Sequence, residues 1–316
     1  MLRVWSFLLV SSLTLTAALV KEMVYSSAVT IGGQIVPLYD KGYLVYLHQP
    51  NRLEVHRPDG QLAYNFELPC PSEGSCSAAA VAVNSKGNIA VSFGYSNRNG
   101  RAAGIRIMDP QGKETRFIST SLYVPTELCF DKDDNLWALG WQRDSLTRDA
   151  EEKQDYQLVR KFSVAGVEIG RYLPRSLWPN RKAFPGAGGR GYWRMYAASD
   201  RIGAVIHENY SDSAPEFVEW NLDGKLIRRT VIPNDTSYGR AYTSDGRFYV
   251  KRREKGSRPE LRVLDLSNGT WQPLPANLPE SIEFDRALLL GSDGEELVYR
   301  VGHGNIRLVW ARPGVQ

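Results

Sequence analysis

Residues 78–118 read AAAVAVNSKGNIAVSFGYSNRNGRAAGIRIMDPQGKETRFI, and this stretch contains one complete structural unit. An apolar run, Ala78–Asn84, meets the turn Ser85-Lys86-Gly87-Asn88 and continues as a second run, Ile89–Phe93. A longer loop, Gly94 to Gly104, leads to a third run, Ile105–Met108, and Asp109-Pro110-Gln111-Gly112 turns into a fourth around Thr115–Ile118. Glycine and asparagine in these turns supply the positive φ that tight hairpins require. Four short strands joined this way form an antiparallel sheet that needs neighbours on both faces.

Working outward, the same grammar recurs along the chain. One ladder of glycine-type turns comprises Gly42, Gly87, Asn135, Arg201, Gly246 and Gly294, at spacings of 45, 48, 66, 45 and 48 residues. A second comprises Gly60, Gly112, Gly166, Gly224 and Gly269, at spacings of 52, 54, 58 and 45. Repeats of this length with strands on both sides of each turn predict an all-β fold, a six-bladed β-propeller. Pro69, Pro125, Pro174, Pro233 and Pro279 fall where outer strands should end, because proline cannot donate to a ladder.

The two ladders differ by one rung. The last unit, Ala287–Leu290, Leu297–Arg300 and Ile306–Trp310, lacks a fourth strand, and an orphan strand, residues 23–31, stands at the other end. Pairing the two closes the ring and removes an open sheet edge. The expected organisation is a leader at 1–20 and one domain at 21–316. Its blades are expected at about 33–69, 77–125, 126–174, 190–233, 238–275 and 282–312, the last completed by 23–31. The repeats and the Asp-x-x-Gly-like turns resemble NHL-like and TolB-like six-bladed propellers over roughly residues 23–312. That resemblance implies a binding fold without selecting a ligand, since such propellers take peptides, proteins, RNA or small molecules. A more distant likeness to lactonase-type propellers implies a divalent cation at the channel mouth.

Met1-Leu2-Arg3, the apolar stretch Val4–Leu15 and the small residues Thr16-Ala17-Ala18 read as a secretory signal, with an uncleaved anchor as the alternative. No later segment has the apolar length of a span, so a monomer exported to the periplasm or the extracellular space is expected. In that compartment Cys70 and Cys76, flanking a five-residue loop, are expected to pair, whereas Cys129 sits in an apolar strand pattern as a buried thiol. A formal net charge of +4 is too mild for a nucleic-acid binder, and none is expected as a partner.

In a propeller the two families of tight turns share one face and the longer connections share the other. Here the long connections are Pro69–Ser77, Gly94–Gly104, Trp141–Tyr156, Leu173–Gly191, Glu208–Pro215, Lys251–Pro259 and Gln272–Ser281. Binding residues gather on such loops. The richest, 175–194, interleaves Trp178, Arg190, Tyr192, Trp193 and Arg194, a mixture suited to planar or anionic groups. Packing over the propeller end is its structural alternative. Glu127, Tyr192, Arg194, Tyr238, Arg240 and Glu283 enter inner strands from this face and are expected at the channel rim. There Arg194 and Arg240 would clamp an anion or pair with Glu127 and Glu283.

The function expected is a non-catalytic module, with no cofactor and no metal, binding a protein, peptide or glycan on the loop face. The alternative is a metal-assisted hydrolase or lactonase using calcium or zinc, with Glu127, Asn277, Asp235 and Glu283 as candidate ligands. His48, His207 and His303 lie in different blades and are not expected to share a metal. The chain shows no GxSxG elbow and no phosphate-loop pattern. Arg143–Asp155 and Lys251–Arg258 read as solvated loops, the second distinctly basic. Asn209, Asn234 and Asn268 match glycosylation sequons.

Overall fold

Every rung of the second ladder, and five of the six in the first, mark hairpins with positive-φ turns, and the hairpins assemble in fours. The computed structural model describes residues 22–25, 35–48, 51–70, 74–97, 100–142, 155–178, 195–206, 215–232, 237–253, 257–276, 278, 282–302 and 306–314. Strand β1 is Glu22–Tyr25. Blade 1 contains β2 (Ile35–Asp40), β3 (Tyr43–His48), β4 (Arg52–His56) and β5 (Leu62–Glu67). Blade 2 contains β6 (Gly74–Val83), β7 (Ile89–Asn97), β8 (Gly100–Met108) and β9 (Glu114–Ser121). Blade 3 contains β10 (Tyr123–Phe130), β11 (Leu136–Gln142), β12 (Gln157–Phe162) and β13 (Glu168–Pro174). Blade 4 contains β14 (Met195–Ala197), β15 (Arg201–Ile206), β16 (Glu216–Asn221) and β17 (Leu226–Val231). Blade 5 contains β18 (Ser237–Tyr242), β19 (Phe248–Arg252), β20 (Glu260–Leu264) and β21 (Trp271–Leu274). Blade 6 contains β22 (Leu288–Asp293), β23 (Glu296–Val301) and β24 (Ile306–Ala311), and β1 completes it in the order β1-β24-β23-β22.

The turn glycines do what the sequence asks of them, with φ of 78° at Gly87 and 85° at Gly112. Two rungs differ in detail. In blade 3 the positive φ belongs to Asp134, at 58°, one residue before Asn135. In blade 4 the turn is Ala198–Asp200 and Arg201 already begins β15, without a positive-φ residue.

The first strands of neighbouring blades touch in order around the channel, β2 to β6, β10, β14, β18, β22 and back to β2. Six buried apolar clusters fill the six spaces between successive blades. Each blade is therefore covered on both faces. Middle strands accordingly read as continuous apolar runs, as in β11, Leu-Trp-Ala-Leu-Gly-Trp, whereas the outer strand β17 alternates between half-buried and exposed residues. Between blades 4 and 5, Phe217 and Phe248 stack in parallel at 4.1 Å, and both are fully buried.

The seam is a four-residue antiparallel pairing, with Glu22 opposite Val309 and Tyr25 opposite Ile306. Met23 packs there against the cluster joining blades 6 and 1, which is built on Tyr39, Tyr46, Leu308 and Trp310. The rest of the 23–31 segment lies outside the described residues.

The structure shifts two expectations. Gly94–Gly104 is not a loop: β7 and β8 continue through it, pairing Gly94 with Ala103 and Asn97 with Gly100. The start of β6 joins them, with Gly74 opposite Asn97. Mutual pairing extends these strands although their side chains carry no apolar alternation. Second, Pro125 lies within the inner strand β10, opposite Gly140, so the boundary between blades 2 and 3 falls at Leu122. An inner strand is also a sheet edge, so the missing N–H breaks no ladder. Pro125 adjoins a bulge before Glu127, and Gly140 is needed opposite it, since a Cβ there would lie 2.2 Å from the Val124 carbonyl oxygen.

Candidate functional site

The tight-turn face is laced by polar contacts that pass from blade to blade. The Val83 N–H donates to Asp40 Oδ2 at 3.0 Å, and Ser85 donates through its backbone N–H and Oγ to Asp134, at 2.8 and 2.6 Å. Lys161 Nζ reaches the Leu222 carbonyl at 3.1 Å, and Ser199 reaches the Ser244 carbonyl at 3.4 Å. Ser292 Oγ donates to the Tyr242 carbonyl at 2.6 Å, and Tyr39 donates to Asp293 Oδ2 at 3.0 Å. These contacts link every successive pair of blades, including the pair at the seam.

Inside this circuit lies a cavity of about 230 Å³, lined by the tight-turn halves of the six inner strands. Its walls include Leu38, Ala80, Val81, Leu128 and Met195, with Tyr39, Tyr196 and Tyr242 among them. Asp40, Lys41, Glu127 and Asp293 are the charged residues of its described lining. Lys41 Nζ donates to the Phe130 carbonyl at 3.3 Å and sits 5.7 Å from that ring's centre. Cys129 also lines the cavity, and burial pushes its pKa well above the ordinary thiol range.

On the opposite face the described residues build an arm and two anchors. The arm is the extended part of β6–β7–β8. Its strand β7 has nine residues against six in β3, which carries it about 10 Å further. Cys70 and Cys76 are joined across the base, with Cα atoms 5.8 Å apart, and Cys76 pairs with Tyr95 of the arm. Asn51 Nδ2 contacts both sulfurs and donates to the Leu68 carbonyl at 3.0 Å. Arg106 lies 4.8 Å from the Phe93 ring centre and donates to the Pro69 carbonyl and to Glu114. The arm is thus fixed at its root by covalent, ionic and cation–π contacts.

The first anchor is Trp178. It is 1% exposed, donates through Nε1 to Glu216 Oε2 at 2.8 Å, and lies beneath the Arg229 guanidinium at 4.8 Å. Arg229 forks onto Glu216 and also takes the Leu177 carbonyl, so Trp178 holds the base of the long loop inside the protein. The second anchor is Lys251 of β19, fully buried, whose ammonium donates to the carbonyls of Phe284 and Ala287 at the short helical turn entering blade 6. Burial pushes its pKa down to about 8, and Asp285 acts in the opposite direction.

The described members of the expected site separate. Arg190, Tyr192, Trp193 and Arg194 lie outside the described residues, as do Asp235, Asn277, His207 and His303. Tyr238 occupies the β18 bulge between Ser237 and Gly239. Arg240 is buried in β18 at 4% exposure, away from the described cavity. Glu283 is exposed and pairs outward with Arg286 at 3.0 Å. Of the described residues in this group, Glu127 lines the cavity. Among the described residues no three His, Cys, Asp or Glu side chains are placed to hold a metal ion.

Two buried clusters were not anticipated. Glu54 bridges His56 Nε2 at 2.6 Å and His48 Nε2 at 3.3 Å on the side of blade 1 that faces blade 6. Burial works to raise the Glu54 pKa, but the hydrogen bonds and charges of His56 and then His48 prevail and hold it below the usual carboxylate value. The sequence signal was Glu54-Val55-His56, two polar residues on one face of an apolar strand. Between blades 4 and 5, Tyr242 donates to the fully buried Glu219 at 2.6 Å, and Arg201 approaches the same carboxylate at 3.7 Å.

This geometry defines the protein as a six-bladed β-propeller with one laced face and one elaborated face. Solved structures of similar fold include a gluconolactonase, XC5397, from Xanthomonas campestris, at 15% identity and a TM-score of 0.47 over 87% of this chain and 84% of that one. The PQQ-bound aldose sugar dehydrogenase of Streptomyces coelicolor is similar at 12% identity and 0.49, over 93% and 98%. TolB from Acinetobacter baumannii is similar at 12% and 0.43, over 89% of this chain and 63% of TolB. These neighbours include enzymes and a TolB protein alike, so the likeness is one of fold. No family model and no curated protein matches the sequence. No described helix is long and apolar enough to cross a membrane.

Proposed function

We propose that the protein is an exported, non-catalytic binding propeller that recognises a protein, peptide or glycan through its loop face, as a monomer and without a cofactor. The observation that carries this reading is the blade 2 arm, a rigid projection found on that face and welded at its root by Cys70–Cys76. A rigid scaffold presenting an extended element suits partner capture, because little ordering entropy is lost on binding. The disulfide supports an oxidising compartment, and so the leader reading of residues 1–20. Arg190, Tyr192, Trp193 and Arg194, in the loop that follows the Trp178 anchor, would contribute to the same surface.

Photo-crosslinking tests the reading. A photoreactive residue at Tyr95 is expected to give a discrete adduct in intact cells. The same residue at Lys113, in the β8–β9 turn of the other face, is expected to give none. Equal adducts from both positions, or none from Tyr95, would overturn the proposal.

A further inference from the structure

The tight turns between the third and fourth strands of blades 1 to 5 are built alike, and one of them differs in chemistry. Each is closed by a backbone bond from its first N–H to its last carbonyl, at 2.7–3.0 Å: Arg57 to Gln61, Asp109 to Lys113, Ser163 to Val167, Asn221 to Lys225 and Asp265 to Thr270. Four of these turns carry charged side chains, whereas the blade 3 turn, Ser163-Val164-Ala165-Gly166-Val167, carries none. Val164 and Val167 are 56% and 60% exposed, and Ile169, two residues further along β13, is 51% exposed. One such residue on a surface is ordinary, but three within six positions at the end of a hairpin form an apolar tip.

The backbone of this tip is largely paired. The Gly166 N–H donates to the Ser163 carbonyl at 2.7 Å and the Val167 N–H to Ser163 Oγ at 3.2 Å, while the Val164 carbonyl accepts from Arg116 of β9. Pairing of this kind lowers the cost of entering an apolar phase. Glu168, the acid between Val167 and Ile169, is matched by Arg160 at 2.9 Å and by Arg171. Arg116 and Arg171 are both exposed, with long stems that can lie along an apolar surface while their charges stay in water. The turn holds no tryptophan, tyrosine or arginine, the residues that anchor protein–protein contacts.

The place of the tip in the ring narrows its partner further. It lies on the tight-turn face, and the chain enters the described structure on the same face. Glu22 of β1 stands opposite Val309, toward the Ala311 end of β24, which reaches that side. The apolar stretch Val4–Leu15 precedes it in the sequence. The arm of blade 2 projects from the opposite face.

We propose that the blade 3 turn is a contact with a lipid bilayer surface: Val164, Val167 and Ile169 enter the interfacial region, Arg116 and Arg171 stay at headgroup level, and the tight-turn face is turned toward the lipid. The arm then points away from the membrane, and the contact does not depend on what the loop face binds. An environment-sensitive fluorophore on Ala165→Cys tests it. Cys129 is buried and Cys70 and Cys76 are paired, so the label goes to the introduced thiol. The vesicles are phosphatidylcholine with a minority of phosphatidylglycerol, with and without a nitroxide on the acyl chain. The probe at 165 is expected to shift to the blue and to be quenched by the nitroxide. The same probe at Gln111→Cys, in the polar turn of blade 2, is expected to be quenched less, and at Ser257→Cys, on the loop face, not at all. Val164→Asp with Val167→Asp is expected to lower the vesicle partition coefficient on the order of 10-fold with an unchanged urea midpoint, since both side chains are exposed. This variant keeps residues 1–21, so any lipid affinity of that segment is common to both proteins. Val167→Ser alone gives the same direction should the paired variant fail to fold. Equal quenching at 165 and 257, a partition coefficient unchanged by the substitutions, or a blue shift at 165 caused by soluble proteins in a vesicle-free extract would overturn the proposal.

Discussion

Trp310 offers the sharpest test of how the ring is held closed. It sits on β24 at 1% exposure and meets Tyr39 of blade 1 edge-on at 5.6 Å. Its Nε1 donates to Asp293 at 3.1 Å. Replacing it with alanine opens a cavity at the seam, for which Trp→Ala substitutions cost about 3–5 kcal/mol. Trp310→Phe retains a ring but loses the hydrogen bond to a carboxylate, a loss of about 1.5–3 kcal/mol. Alanine should therefore cost roughly twice as much as phenylalanine. At about 2–4 °C per kcal/mol, Trp310→Ala lowers Tm by roughly 6–20 °C. Calorimetry and urea titration of the three proteins read this directly. A loss below about 1 kcal/mol for the alanine variant would refute a packed seam. Equal losses for the two variants would refute the division between packing and hydrogen bonding.

Four further outcomes follow from the structure. A chain beginning at Ser26 lacks β1 and should lose on the order of 2 kcal/mol, several backbone bonds less the strand's ordering entropy; an unchanged urea midpoint would count against closure by β1. Because the Glu54 pKa is held low, its contribution is present above the unfolded carboxylate pKa and lost as pH falls through the folded value. The stability gap between wild type and Glu54→Gln should accordingly be full at pH 6 and close in strong acid, and a gap independent of pH would contradict the pairing with His56 and His48. Phe217→Ala should cost about 3–5 kcal/mol in denaturant unfolding, and Phe217→Leu about 1, given the stacked contact with Phe248. Gly140→Ala should cost about 2 kcal/mol or more, because its new methyl meets backbone rather than a movable side chain; a neutral effect would show that the β10 bulge is soft.

The blade count and the closure were legible because both depend on local chemistry. Positive-φ turns need glycine, asparagine or aspartate, and a missing rung implies a strand from elsewhere in the chain. The arm was not legible, since Gly94-Tyr95-Ser96-Asn97 has the composition of a loop and becomes strand only through pairing with residues 74–77 and 100–103. Register also hid the His48–Glu54–His56 cluster. His48 and Glu54, six residues apart, meet only when Tyr46 faces Glu54 and Leu44 faces His56. Trp178 was visible as a special residue of the loop, but its commitment to Glu216 depends on a strand 38 positions away. The channel carboxylates were only partly legible. Glu127 was named, whereas Asp40 and Asp293 looked like ordinary turn residues because nothing local shows that their strand ends converge.

The pairing of β1 with β24 joins residues separated by almost the whole chain, from Glu22 to Val309. Five blades can complete themselves from nearby segments, as each is a meander of consecutive strands. The sixth must wait until the last strand has been synthesised and the first has remained unpaired. Such a contact carries the largest loop-closure entropy in the molecule and belongs to the end of folding rather than its nucleus. Substitutions in β1 and β24 should then alter how fast the ring opens far more than how fast it forms. The seam thus governs the lifetime of the folded ring, and every blade shares that lifetime.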